Sequence, residues 1–267
     1  MAIKHFNIIP ACAVALASAC LFSSCILEKR HSADGELRSG LVSVSQPISE
    51  FSEIEASGAM VISYRQAPSD SIRIEGAAKL VSRVVVEQDG ETINLRMKEG
   101  GSVSMSDAGP KLVVYLSSGN LSRVRLSGAN KLRMDEPVAV DNLDLDVTGA
   151  GDVDVDNVTV KDRLQIELSG AGNIDLDNVV AEKVDIRMGG AGDIDGNIKS
   201  ASSVDVEVSG AGNADVKLTD CGDVRCDVSG AADVKLSGTA KRLKFSKSGA
   251  ADVDYDDLKV SDGVRAR

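Results

Sequence analysis

The sequence predicts an all-β fold, a parallel β-helix (β-solenoid) with coils of about 20 residues and an irregular N-terminal β cap. Three observations predict it. A glycine-rich phrase returns at Ser127, Thr148, Ser169, Gly189, Ser209, Ser229 and Ser248, in steps of 21, 21, 20, 20, 20 and 19 residues. Each phrase after the first is preceded by strict apolar–polar alternation, as in Leu164-Gln165-Ile166-Glu167-Leu168, and period two with one apolar face is a strand. A second alternating run follows each phrase, as in Ile174-Asp175-Leu176, so the phrase itself is the corner between two strands.

Residues 1–24 read as a signal peptide: Lys4 and His5 form a polar start, Ile8 to Phe22 an apolar core, and Ser23-Ser24 lead to Cys25. A cysteine after two small residues is the pattern of a bacterial lipoprotein, which makes Cys25 the expected lipid attachment site. Phe22 stands where that pattern has Leu. Cys20 after Ser18-Ala19 is a competing site, and an ordinary signal peptide cut elsewhere is the alternative. The apolar run is shorter than the ~20 residues a membrane span needs, and Pro10 interrupts it.

Residues 25–46 are polar and aperiodic and read as a flexible tether. Residues 47–120 hold short alternating runs, among them Ile72-Arg73-Ile74 and Ile93-Asn94-Leu95, with Asp89-Gly90 as a hairpin turn. A stray copy of the phrase, Ser57-Gly58-Ala59, places this stretch in the same body as its capping end. Residues 121–260 are the regular repeats. A third short apolar piece, such as Val158-Thr159-Val160, adds a third strand to several coils.

Within the corner, glycine is the second residue of every copy, as positive φ or close backbone approach requires. The next residue is always alanine, in a column of Ala59, Ala129, Ala150, Ala171, Ala191, Ala211, Ala231 and Ala250. A methyl group suits a crowded inner corner, so this column is expected to be buried. Stacked coils bring equivalent residues within about 4.8 Å. The residue after the corner then forms a ladder of Asp152, Asn173, Asp193, Asn213 and Asp233, in which each amide can donate to its carboxylate neighbours. Two places further, Asp154, Asp175, Asp195 and Asp215 stack on an outward face with Arg133 at one end and Lys235 at the other. That column is read as a solvated acidic face; a Ca²⁺ site is the alternative, since oxygen ligands would relieve the repulsion. The Gly189 stretch is no calcium nonapeptide, because Ile194 stands where its second Asp belongs and the period is 20. Arg187, between Glu167 and Glu207, reads as charge compensation.

Formal net charge is −11, which opposes nucleic-acid binding. There is no Trp, and beyond the leader the one histidine is His31. Cys226 occupies a position filled elsewhere by aliphatic residues and reads as a small buried hydrophobe; Cys221 precedes it, and a bridge between the two stays open.

The lipoprotein start, the opening Phe51-Ser52-Glu53-Ile54-Glu55-Ala56-Ser57-Gly58-Ala59 and the iterated SGAG[DN] corners together resemble the head GIN domain family of putative auto-transporter adhesins, over about residues 48–258. The resemblance implies an envelope-associated bacterial β-helix, of the Bacteroides group, and supplies no catalytic residues, metal or cofactor. The expected role is a non-catalytic, adhesin-like binding or scaffolding lipoprotein of the outer membrane, facing periplasm or surface. Its partners are the membrane, through the lipid, and a glycan or protein ligand. The alternative is a polysaccharide-active lyase or hydrolase, which rests on fold analogy alone.

Overall fold

The computed structural model describes residues 26–28, 41–98 and 112–266. They are nearly all strand and form a solenoid of about seven turns with three parallel sheets. Segments before each corner build the first sheet, segments after it the second, and the short third pieces the third. Many strands run continuously around the turns. Val158–Leu168 passes from the third sheet into the first, and Asn173–Met188 crosses all three.

Register is strict. In the first sheet the inward column runs Ile54, Val124, Leu145, Ile166, Ile186, Val206, Cys226, Phe245, one residue per coil. In the second it runs Ile62, Leu132, Val153, Ile174, Ile194, Ala214, Val234, Val253. In the third, Val138, Val158, Val179, Ile198 and Leu218 are followed by Gly238 and Leu258. All of these aliphatic residues are buried and belong to one continuous core. Each fully buried aliphatic side chain contributes about 1.5–3 kcal/mol against exposure. Cys221 also points inward, in register with Ala240, so both cysteines are core residues. Their thiols are free and unbridged.

The corners correct the sequence reading. The alanine column is outward: Ala129, Ala150, Ala171, Ala191, Ala211, Ala231 and Ala250 are all exposed. The inward position is the next one along, filled by Asn130, Gly151, Gly172, Gly192, Gly212 and Ala232. Crowding is felt by the glycines. A Cβ on Gly170, Gly190 or Gly210 would lie 1.7–1.8 Å from the carbonyl oxygen of the corresponding glycine one coil back. Those three have no positive φ, so close approach alone demands glycine there. The approach exists because the backbone ladder continues through the corner: Ala191 N–H donates to Gly170 O at 3.0 Å, and Asp193 N–H to Gly172 O at 3.2 Å.

Asn130, like Met60 beside it in the cap, departs from the small inner corner. It is 2% exposed; its Oδ1 accepts from Met60 N–H at 3.2 Å and its Nδ2 donates to Ser127 O at 2.7 Å. Its amide closes the corner where the regular coils meet the cap.

The cap departs from sequence order. Glu53–Gly58 lies between Thr92–Met97 and Arg123–Gly128, both parallel to it, so its two neighbours both come later in the chain. Val84–Asp89 folds back on Thr92–Met97 as an antiparallel hairpin. On the second sheet, Val61–Gln66 is followed outward by Val113–Ser118, then by Ser71–Ala77, Leu41–Gln46 and Ile26–Glu28, the last three joined antiparallel. Leu41–Gln46 and Ile26–Glu28 fall inside the stretch whose composition suggested a tether. Both are paired strands of the cap: the half-apolar Leu41–Gln46 pairs with Ser71–Ala77, and Ile26–Glu28 forms the edge beyond it. A single helical turn, Ala78–Val81, follows Ser71–Ala77. The expected signal peptide and Cys25 lie outside the described residues.

Candidate functional site: an acidic face on the second sheet

The outward side of the second sheet is the most distinctive surface of the rod. Pairing places Arg133, Asp154, Asp175, Asp195, Asp215, Lys235 and Asp254 in one column, as the repeat spacing predicts. At one end, Lys131 reaches across from the neighbouring column to Asp154 at 2.8 Å. At the other, Lys235 turns to Asp257 at 3.6 Å. Among the described residues, Asp175, Asp195 and Asp215 have no cation within ion-pairing distance.

The electrostatic consequence is a raised carboxyl pKa at Asp175. Partial burial is the main cause, followed by repulsion from Asp154, Asp195 and Asp177. Asp195 is raised likewise, by partial burial and then by Asp215 and Asp193. Asp156 and Asp177 lie one turn of alternation further along, and with Asn197 they widen the column into an open groove of about 490 Å³. This second acidic row is the part the sequence reading passed over. Its signal was present in Asp154-Val155-Asp156 and Asp175-Leu176-Asp177, whose two acids share one face. Among the described residues no cluster of three or more acidic, thiol or imidazole side chains has the geometry to hold a metal ion.

The neighbouring ladder behaves differently. Asn173 Nδ2 donates to Asp152 Oδ1 at 3.3 Å, and Asn213 Nδ2 to Asp193 Oδ1 at 2.8 Å. These bonds give the alternating column a structural part. The first sheet is charge-compensated along its outer face. Arg123 bridges Glu53 and Asp144 at 3.2 Å each, Arg125 holds Glu55 at 2.7 Å, and Arg163 holds Asp185 at 2.6 Å. Arg187 stands between Glu167 and Glu207 and lies 3.7 Å from the latter, which is the compensation its position implied. Acidic residues are thus mostly paired on the first sheet and left clustered on the second.

The two thiols add no reactive centre. Burial pushes the Cys226 thiol up to about 12 and raises Cys221 as well. A thiolate nucleophile needs the opposite shift.

A family model described as "putative auto-transporter adhesin, head GIN domain" matches residues 50–220 and 201–264, which is most of the chain. The chain belongs to the head GIN domain family. Several solved structures share its fold. One, a putative adhesin from Bacteroides fragilis, superposes with a TM-score of 0.62 at 19% identity, covering 86% of this chain and 98% of the other. A putative lipid binding protein from Parabacteroides distasonis gives 0.57 at 15% identity, with coverage of 86% and 98%. A putative adhesin from Parabacteroides merdae gives 0.51 at 18%, with coverage of 86% and 97%. No curated protein matches the chain. Among the described residues of this head GIN protein, no helix is long and apolar enough to cross a membrane.

Proposed function

We propose that this head GIN protein is a lipid-anchored protein of the bacterial cell envelope whose β-helix serves as a non-catalytic, adhesin-like binding or scaffolding rod. The observation that carries this reading is the unbroken backbone ladder through the corners. It holds outward side chains in fixed columns one rung apart, an arrangement suited to contacting a repetitive or extended partner rather than to enclosing a substrate. The family description and the adhesin relatives support the same class. The anchor is Cys25 after Ser23-Ser24, and the outer membrane is the proposed site of attachment. The ligand is a glycan or a protein.

Two experiments test it. A soluble form beginning at Ile26 is screened against glycan and envelope-protein arrays. Binding without turnover is expected, and cleavage of any polysaccharide would replace this reading with the enzymatic one. Cys25→Ala is expected to abolish lipid labelling and release the protein from the membrane fraction. Unchanged labelling and fractionation would remove the anchor from the proposal.

A further inference from the structure

We infer that the antiparallel cap is the membrane-facing end of the molecule and that the solenoid stands away from the bilayer, its C-terminal coils outermost. The inference rests on the proposed lipid at Cys25 and deepens that reading. Its partner is an anionic lipid surface.

Cys25 immediately precedes Ile26–Glu28, which pairs antiparallel with Leu41–Gln46 in the cap. One residue of chain spans at most ~3.6 Å, so the proposed lipid, one residue before Ile26, would meet the molecule beside that strand. A long tether would leave the rod free to tumble; a strand paired into the cap fixes which end meets the bilayer. From Thr92–Met97 to the last first-sheet strand, Val264–Ala266, there are ten rungs. At about 4.8 Å per step the far end stands roughly 43 Å above the cap.

Charge is distributed unevenly along the rod. Residues 26–120 carry 10 Lys and Arg against 13 Asp and Glu, a net −3, whereas residues 121–267 carry 19 against 28, a net −9. The acidic face of the second sheet lies within the repeats. A rod lying on that face would press Asp175 and Asp195 against anionic headgroups, within the ~10 Å over which such repulsion acts. Standing on the cap removes the repeats from that layer.

The test uses the lipidated protein reconstituted into vesicles of phosphatidylethanolamine and phosphatidylglycerol that carry a headgroup-linked energy acceptor. A donor dye is placed at Asp89→Cys, in the exposed cap hairpin, or at Lys259→Cys, exposed in the last coil. The native thiols at Cys221 and Cys226 are 1% and 0% exposed and stay unlabelled. Transfer several-fold greater from position 89 than from position 259 is expected. Equal transfer, as from a rod lying along the surface on its less charged third sheet, or greater transfer from position 259 overturns the inference. The same labels in Cys25→Ala separate the two claims. If that variant still binds the vesicles, the anchor itself is wrong and the inference falls with it. If it is released while the lipidated protein shows equal transfer, only the orientation is wrong.

Discussion

The α-carbon of Gly190 faces the carbonyl oxygen of Gly170 so closely that a Cβ on Gly190 would sit 1.8 Å from it. The neighbouring Ala191 is exposed, and its N–H donates to that same carbonyl. Two adjacent residues of one corner therefore carry opposite constraints. Gly190→Ala must push one coil away from the next, and it is expected to cost at least ~3 kcal/mol, the upper end of overpacking, or to prevent folding. Ala191→Ser is expected to stay within about 0.5 kcal/mol. Denaturant midpoints of the two variants check this; similar losses would return the alanine to the interior.

Gly196 shows the reverse case. It occupies an inward position of the second sheet between Leu176 and Val216, its φ is not positive, and a Cβ there would meet nothing within 4 Å. Gly196→Ala is expected to raise stability by about 0.4–1 kcal/mol, because alanine restricts the unfolded chain without strain in the folded one. Chemical denaturation with an unchanged m-value would confirm that the gain is one of stability alone.

The acidic column decides between solvated face and cation site by its response to ions. Asp175→Asn removes a repelled charge and is expected to leave stability equal or slightly higher, most visibly at low salt. Ca²⁺ is expected to act no differently from Mg²⁺ at equal ionic strength. A melting temperature that rises selectively with Ca²⁺, and no longer does so in Asp175→Asn, would establish a binding site instead.

The acidic column, with Asp205 on the first sheet, gives a signed pH dependence. Asp175, Asp195 and Asp205 have carboxyl pKa values raised above the usual 3.8, so in that window the folded state binds more protons than the unfolded state. Stability contributed by these groups is present at low pH and lost as pH rises through their folded pKa values. Asp223, Asp227 and Asp252 are lowered, chiefly by hydrogen bonds from Arg242, Ser246 and Lys247 respectively. Their contribution is present above 3.8 and lost as pH falls below it. Melting temperature is therefore expected to rise as pH is lowered from neutrality toward the carboxylate range, then to fall below it. Asp175→Asn should flatten the first limb only.

Thiol chemistry follows from burial. In a form beginning at Ile26, a disulfide-exchange reagent is expected to find no reactive cysteine in the native protein and two, Cys221 and Cys226, once it is denatured. Failure of two thiols to appear on unfolding without reductant would mean that the pair is oxidised.

Much of this fold is legible in the repeats, for a physical reason. Every coil repeats the same burial problem, so Leu145, Ile166, Ile186 and Val206 announce both a strand and its register. The acidic column follows from that register without further information. The corner does not. Period-two alternation breaks there, and an invariant small residue looks the same whether an inner wall or a neighbouring carbonyl excludes larger ones. Ala191 and Gly190 could be sorted only once the backbone path was known. The cap was hidden for a different reason: placing Thr92–Met97 beside Glu53–Gly58 is a long-range pairing that no local pattern encodes. The short Leu41–Gln46 strand likewise takes its meaning from its partner, Ser71–Ala77.

The position of Glu53–Gly58 between two later strands also separates what can vary in evolution from what cannot. The cap is an interlocked unit that must be inherited whole. Beyond it, each coil contacts chiefly the one before and the one after, through the same glycine carbonyls. Duplication or deletion of one 20-residue unit would lengthen or shorten the rod by a single rung, about 4.8 Å, and leave the inward apolar columns in register. Reach is then a quantity that lineages can adjust by copying DNA in register, with no new packing to invent.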